Sequence, residues 1–211
     1  SPFTLSKNNE RLSVVISRIR ENELPLVYLN RYGGQDELVF DGNSFALNED
    51  GSIFLNCKSF EHDISIITFT KDDRWIGKGD IIKSSTKYES LYKALVLGLR
   101  DYVKNNKFPG VILGMSGGID SALVASLAVD ALGPQNVHAV MMPSPYTSNE
   151  SLNDAKEALN FLNVEYNELN IEDSMNIVDK TLLDFKGPDF NIGITEENIQ
   201  SRLRGLLLMA L

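Results

Sequence analysis

Cysteine is nearly absent. Cys57 stands alone among 211 residues, which excludes an internal disulfide and a thiolate zinc cluster. Positive charge is scarce too: 20 Lys and Arg face 29 Asp and Glu, for a formal net charge of -9. So acidic a chain has no general electrostatic attraction for DNA or RNA, and binds small anions only through local donors or a metal ion. Long apolar runs are missing; none approaches the roughly 18–20 residues that a membrane span needs. Ser1-Pro2-Phe3 lacks the basic start and apolar core of a secretory signal. These absences predict a cytoplasmic protein with neither nucleic acid nor membrane as partner. An initiator Met is also lacking, and Leu206-Leu207-Leu208-Met209-Ala210-Leu211 runs out inside an apolar helical pattern with no Gly or polar cap. The expectation is an internal segment of a longer protein; the alternative is a C-terminal helix docked on its own core.

What is present reads as α/β. The hydrophobic fraction, 43%, is ordinary for a globular chain. Leu12, Val15, Ile16 and Ile19 recur at helical spacing over 8–22. Short apolar runs follow at 26–29, 37–40, 45–47, 53–55 and 64–67, punctuated by Gly33-Gly34, Asp41-Gly42-Asn43 and Glu49-Asp50-Gly51. They predict antiparallel strands with turns between them. Residues 71–86 are polar and aperiodic and read as a linker. Beyond them the pattern alternates: helix 87–105, strand 110–115, helix 120–132, strand 137–142, helix 151–162, strand 164–170, helix 172–185, and a helix from 195 on. Such alternation predicts a parallel sheet with helices on both faces.

The densest chemical signal is the step from Val111-Ile112-Leu113-Gly114-Met115 into Ser116-Gly117-Gly118-Ile119-Asp120-Ser121. A buried strand, a glycine-rich turn and a helix start form an anion cradle, because glycines admit close backbone approach and the first helical turn presents free N–H groups. The lysine of a G-x-x-x-x-G-K-[ST] loop is absent, and the G-x-G-x-x-G spacing is not met. Asp120 repels phosphate and makes sense there only if it holds Mg²⁺; Ser116 and Ser121 add hydroxyl donors. The bland reading is a tight strand–helix turn capped by Asp120 or Ser121.

Ser116–Ser121 resembles the pyrophosphate loop of the adenine-nucleotide alpha hydrolase, or N-type ATP pyrophosphatase, superfamily, whose members cleave ATP between its α- and β-phosphates. GMP, asparagine and argininosuccinate synthetases carry similar loops. Three further stretches are similar to glutamine-dependent NAD synthetases: Val140–Ser148, Ser151–Ala155 and Glu197–Gly205. Gly33–Phe45 and Ser1-Pro2-Phe3 resemble parts of that family's nitrilase-like glutaminase domain.

The resemblance implies the end of a nitrilase-like α/β sandwich over 1–70, a linker over 71–86, and the first part of an adenine-nucleotide alpha hydrolase-like synthetase domain over 87–211. It implies ATP and Mg²⁺ as cofactors, held by Gly114, Met115, Ser116, Gly117, Gly118, Ile119, Asp120 and Ser121, with Asp120 on the metal. It implies deamido-NAD contacts from Asn198 and Arg202, which share a helix face, and glutamine contacts from Ser1 and Lys7. The plain alternatives are a solvated Asn–Arg face and an exposed lysine at a helix start. The reaction implied is amidation of deamido-NAD through an adenylate, with ammonia from glutamine, in a homo-oligomeric parent. The family's glutaminase cysteine falls upstream of Ser1, so no catalytic triad member is expected in this chain. Two rivals remain: another amidotransferase of the superfamily, and a nucleotide-binding piece with no turnover of its own.

Cys57, inside Phe54-Leu55-Asn56-Cys57, reads as packing in a strand with no activating group beside it. Cys57→Ser should leave nucleotide binding unchanged, and a glutamine-like electrophile should label Cys57 slowly in mass spectrometry. Fast stoichiometric labelling would reverse the assignment.

Overall fold

A computed structural model describes residues 1–71, 74–187 and 195–211. By internal packing the chain divides into two units, Ser1–Lys107 and Phe108–Leu211.

The first unit begins with α1, Lys7–Asn22. Its predicted stripe is the packed face: Leu12, Val15, Ile16 and Ile19 meet Leu26, Tyr28, Phe45 and Leu47. The strands are β1 (Leu26–Tyr28), β2 (Tyr32–Gln35), β3 (Leu38–Asp41), β4 (Phe45–Leu47), β5 (Ile53–Asn56), β6 (Thr68–Lys71) and β7 (Trp75–Lys78). They form an antiparallel sheet in the order β1-β4-β5 and two hairpins, β2–β3 and β6–β7.

Two local readings differ from the outcome. Gly33-Gly34, read as a turn, lies inside β2, because the helix α2 (Lys87–Asn105) rests on that ribbon. Gly34 N donates to Asp101 Oδ2 at 2.7 Å, and a Cβ on Gly34 would stand 3.0 Å from Asp101 Cβ. The strand expected at 64–67 lies instead at 68–71; Ile64 and Ile66 are exposed. Its partner β7 falls in the stretch read as linker. That strand was hidden by its composition, since its one buried position is Gly77, set against the Phe54 ring.

α2 starts on a capping box, with Glu89 N donating to Thr86 Oγ1 and Thr86 N donating to Glu89 Oε2, both at 3.3 Å. Its Ala94 and Leu97 pack with Phe60, Phe3, Tyr32 and Val39. The packing boundary therefore falls at 107/108, whereas the sequence pattern opens its second region at 87.

The second unit alternates as the pattern predicts: β8 (Val111–Met115), α3 (Ile119–Leu132), a 3-10 turn at Pro134–Asn136, β9 (Val137–Met141), α4 (Asn149–Phe161), β10 (Glu165–Glu168), α5 (Glu172–Lys186) and α6 (Thr195–Ala210). The strands form a parallel sheet, β10-β9-β8, with Met115 and Glu168 both in register with Met141. Alternation along central β9 sends Val137, Ala139 and Met141 to one face and Val140 to the other, and all four are buried. α5 and α6 close over Val140 through Ile171, Met175, Ile199, Leu203 and Leu207. α3 and α4 pack on β8 and β9, and α3 turns inward its small Ala125, Ala128 and Ala131. No helix among the described residues is long and apolar enough to cross a membrane.

Candidate nucleotide site

β8 delivers the loop. Its last residue, Met115, is buried, and Ser116–Gly118 then turn the chain into α3, whose N-cap is Gly118. Gly117 has φ +84, and a Cβ there would collide with the Ser151 carbonyl oxygen of α4. Glycine is therefore required twice over, for its backbone angle and for its lack of volume. Gly118 has φ -80, and its added Cβ would meet nothing nearer than Ser116 Oγ at 3.4 Å.

The two serines knit the turn together. Ser121 Oγ donates to the Gly118 carbonyl at 2.8 Å and lies 3.1 Å from Ser116 Oγ, while Gly118 N donates to Ser116 Oγ at 3.2 Å. The hydroxyls thus sit at the start of α3, where the helix end favours an anion.

A pocket of about 650 Å³ opens beside this loop, past the carboxyl ends of β8 and β9. Gly114, Met115 and Ser116 form one side, and Ser148 and Ser151 at the start of α4 another. α6 supplies Gln200, Ser201, Arg204, Gly205 and Leu208. Arg204 is fixed by a 3.1 Å bond from its Nε to the Met142 carbonyl. Burial pulls its pKa below the usual arginine value. Ser144, buried after β9, donates to Gln200 Oε1 at 2.9 Å and accepts from Tyr146 N at 3.3 Å. At the rim, a hydrogen bond to the Glu196 carboxylate and that group's charge push the Tyr146 hydroxyl's pKa up, so it remains a donor.

The structure distributes the residues singled out from sequence. Gly114, Met115 and Ser116 line the pocket; Gly117, Gly118 and Ser121 shape its loop; Ile119 and Asp120 are exposed on the first turn of α3. Asn198 and Arg202 do not line it. They border a second recess, of about 240 Å³, with Val178, Ile199 and Leu206. Ser1 is exposed, and its carbonyl accepts from Arg11; Lys7 opens α1 and pairs with Glu10 at 3.1 Å. Cys57 is partly buried, its Sγ 3.5 Å from Ser65 Oγ. Sequence reasoning missed Gln200, Arg204 and Ser144. The signal was present, since Gln200 and Arg204 are also four apart on α6, but two polar pairs shared that spacing.

Among the described residues no group of three or more His, Cys, Asp or Glu could cage a metal ion. Asp120 alone suits a hard ion that arrives already bound to phosphates and keeps its waters.

The NAD synthase family model matches residues 91–211. The chain is 44% identical over 216 residues to the glutamine-dependent NAD(+) synthetase of Rhodobacter capsulatus, covering 100% of this chain and 38% of that protein. It is 40% identical over 211 residues to the enzyme of the same name from Acinetobacter baylyi, covering 100% of this chain and 39% of that one. The chain therefore spans about two fifths of the length of the curated relatives it matches. Among solved structures, a glutamine-dependent NAD+ synthetase from Acinetobacter baumannii in complex with ADP superposes with a TM-score of 0.90 at 41% identity, over 100% of this chain and 40% of that one.

The loop geometry separates its two adjacent glycines. Gly117→Ala should cost more than about 2 kcal/mol, from the left-handed backbone and the Ser151 collision together. Gly118→Ala should cost within about 1 kcal/mol, as an ordinary N-cap change. Denaturant midpoints of the two variants measure this, and equal losses would remove Ser151 from the account.

Proposed function

The chain belongs to the NAD synthase family, and on that premise we propose that it carries the ATP site of a ligase that amidates deamido-NAD to NAD with glutamine-derived ammonia. The observation that supports this best is the pocket between the Ser116–Ser121 loop and α6. Its place beyond the carboxyl ends of parallel strands, and its size, suit a nucleotide.

A carboxylate resists attack by ammonia and must first be activated. In the proposed first step an oxygen of the deamido-NAD carboxylate bonds to the α-phosphorus of ATP, and pyrophosphate leaves with the electron pair of the broken P–O bond. In the second, the ammonia lone pair forms the C–N bond, AMP leaves with the C–O electrons, and nitrogen releases a proton. The loop's task is to hold pyrophosphate as charge develops on it, through the N–H groups at the start of α3 and the Ser116 and Ser121 hydroxyls. Those hydroxyls bond one another at 3.1 Å and turn toward phosphate by rotation alone. Arg204, tied down at Nε, keeps its two terminal nitrogens for anionic oxygens. Asp120 would hold Mg²⁺, which neutralises phosphate charge.

Asn198 and Arg202 are assigned to deamido-NAD as a neighbouring subsite on α6, and Ser1 and Lys7 to glutamine in a nitrilase-like unit that ends near residue 70. On this reading the chain works within a longer, cytoplasmic, homo-oligomeric polypeptide that supplies the ammonia-releasing cysteine and the rest of the ligase pocket.

Two measurements test the proposal. Asp120→Asn should weaken ATP binding in the presence of Mg²⁺ and leave metal-free binding nearly as it was, as read by isothermal titration. Equal affinities with Mg²⁺ would take Asp120 off the metal. The 211 residues alone, given ATP, Mg²⁺, deamido-NAD and an ammonium salt, should form no NAD over many turnovers, since losing one wall of an adenylation pocket removes most of its positioning. Sustained NAD and AMP formation on chromatography would mean that the pocket is already complete.

A further inference from the structure

Under α1 lies a charge cluster that the ligase chemistry does not use. Arg11 and Asp41 are 5% and 1% exposed. They meet in a two-pronged pair, Nη1 to Oδ2 and Nη2 to Oδ1, both at 2.9 Å. Asn30, also buried, donates from Nδ2 to Asp41 Oδ1 at 3.0 Å. Arg11 Nε has no hydrogen-bond partner among the described residues. A buried ion pair seldom raises stability over apolar side chains of the same size, and an unpaired Nε makes it costlier. Something other than stability therefore has to account for its form.

Asn30 is itself anchored to the loop after β3, its Nδ2 donating to the Gly42 carbonyl and its N to Ser44 Oγ, both at 3.0 Å. The other side-chain bonds of the cluster run to one short segment or to the helix start beside it. Arg11 Nη2 also donates to the Ser1 carbonyl at 2.9 Å and the Pro2 carbonyl at 3.4 Å. Asn30 Oδ1 accepts from Ser1 N at 2.7 Å. Phe3 N donates to the Val39 carbonyl at 2.7 Å, two residues ahead of Asp41 on β3. Arg11 Nη1 reaches Asn8 Oδ1 at 3.3 Å in the first turn of α1. Lys7 lies four residues before Arg11, on the same helix face. Ser1 itself remains exposed. The backbone of Ser1–Pro2 is thus held by Arg11 and Asn30, and that of Phe3 by Val39, while Ser1 stays at the surface.

We propose that Arg11, Asp41 and Asn30 form a positioning clamp that fixes Ser1 and Lys7 relative to each other for recognition of glutamine. The clamp rests on the glutamine reading of those two residues. Its members touch no substrate. They act by holding backbone, and the two-pronged fork matters because it sets orientation as well as distance. Lysine at position 11 keeps the charge and loses the fork.

The test uses the full-length enzyme with two nitrogen sources. Arg11→Lys should raise the KM for glutamine about tenfold, while the NAD-forming rate with saturating ammonium salt stays within twofold. If Arg11→Lys does not fold, the apolar pair Arg11→Met with Asp41→Leu fills the space without charge and takes its place, with the same expectation. Ser1→Ala, measured in parallel for glutamine KM, separates the two layers of the argument. An unchanged KM in Ser1→Ala overturns the glutamine reading and the clamp with it. A raised KM in Ser1→Ala beside an unchanged KM in the clamp variant overturns the clamp alone. Equal losses with glutamine and with ammonium would make the cluster a stability element and also overturn it.

Discussion

The Ser151 carbonyl oxygen occupies the place where a side chain on residue 117 would have to go. That contact sets the second unit's chemistry, because it brings the start of α4 directly onto the turn that starts α3. The start of α4, capped at Ser148, whose Oγ accepts from Ser151 N at 3.1 Å, lines the pocket beside Ser116, and α3, capped at Gly118, begins from the same turn. Two positive helix ends thus lie near one turn, and they favour an anion there without a lysine in the loop. Gly117 at φ +84 is the only residue type compatible with this arrangement. The parallel sheet supplies the rest: β8 and β9 run in register to Met115 and Met141, so the loops that follow them leave the sheet at the same level.

The first unit solves a similar problem by different means. It also holds a short segment at a fixed height, Ser1–Pro2, but it uses a buried guanidinium and carboxylate where the second unit uses absence of volume. The difference follows from location. The loop at 116–118 is bounded by elements adjacent in the sheet, and shape alone confines it. Ser1–Pro2 lies at the margin of α1 and β3, where directional bonds from a fixed fork are needed to hold a strand-like segment without a sheet partner on each side.

Much of this was legible in the sequence, for identifiable reasons. The helix at 87–105 was legible because Leu91, Leu95 and Leu99 recur at helical spacing, although Leu91 and Leu95 are exposed and Ala94 and Leu97 do the packing. β8, α3 and β9 were legible because buried strands and an alanine-rich helix follow one another with a glycine turn between them. β7 was not, because Trp75-Ile76-Gly77-Lys78 buries only a glycine and takes its strand character from β6 alone. Which face of α6 borders the loop pocket was likewise beyond periodicity, since 198/202 and 200/204 both have helical spacing. Ile199 and Leu203 pack against α5, and the 200/204 side lines the pocket beside the β8 loop while 198/202 borders the neighbouring recess. The apolar end of the chain divides in the same way: Leu207 and Leu208 pack, while Leu206 and Met209 stay exposed.

The acidic charge of the chain then constrains how an anion can be held in that pocket. With a net charge of -9, the long-range field repels a nucleotide, and attraction has to come from groups close enough to outweigh it. The structure offers neutral donors in Ser116, Ser148 and Ser151, two helix starts, and a single arginine whose orientation is fixed through Met142. Asp120 adds a further negative charge at the loop's first helical turn. A bare polyphosphate meets that carboxylate as a repulsion, and a metal-borne one meets it as a ligand. On the role proposed for Asp120, the site would therefore discriminate between free and magnesium-bound polyphosphate by charge before any base or sugar contact is made.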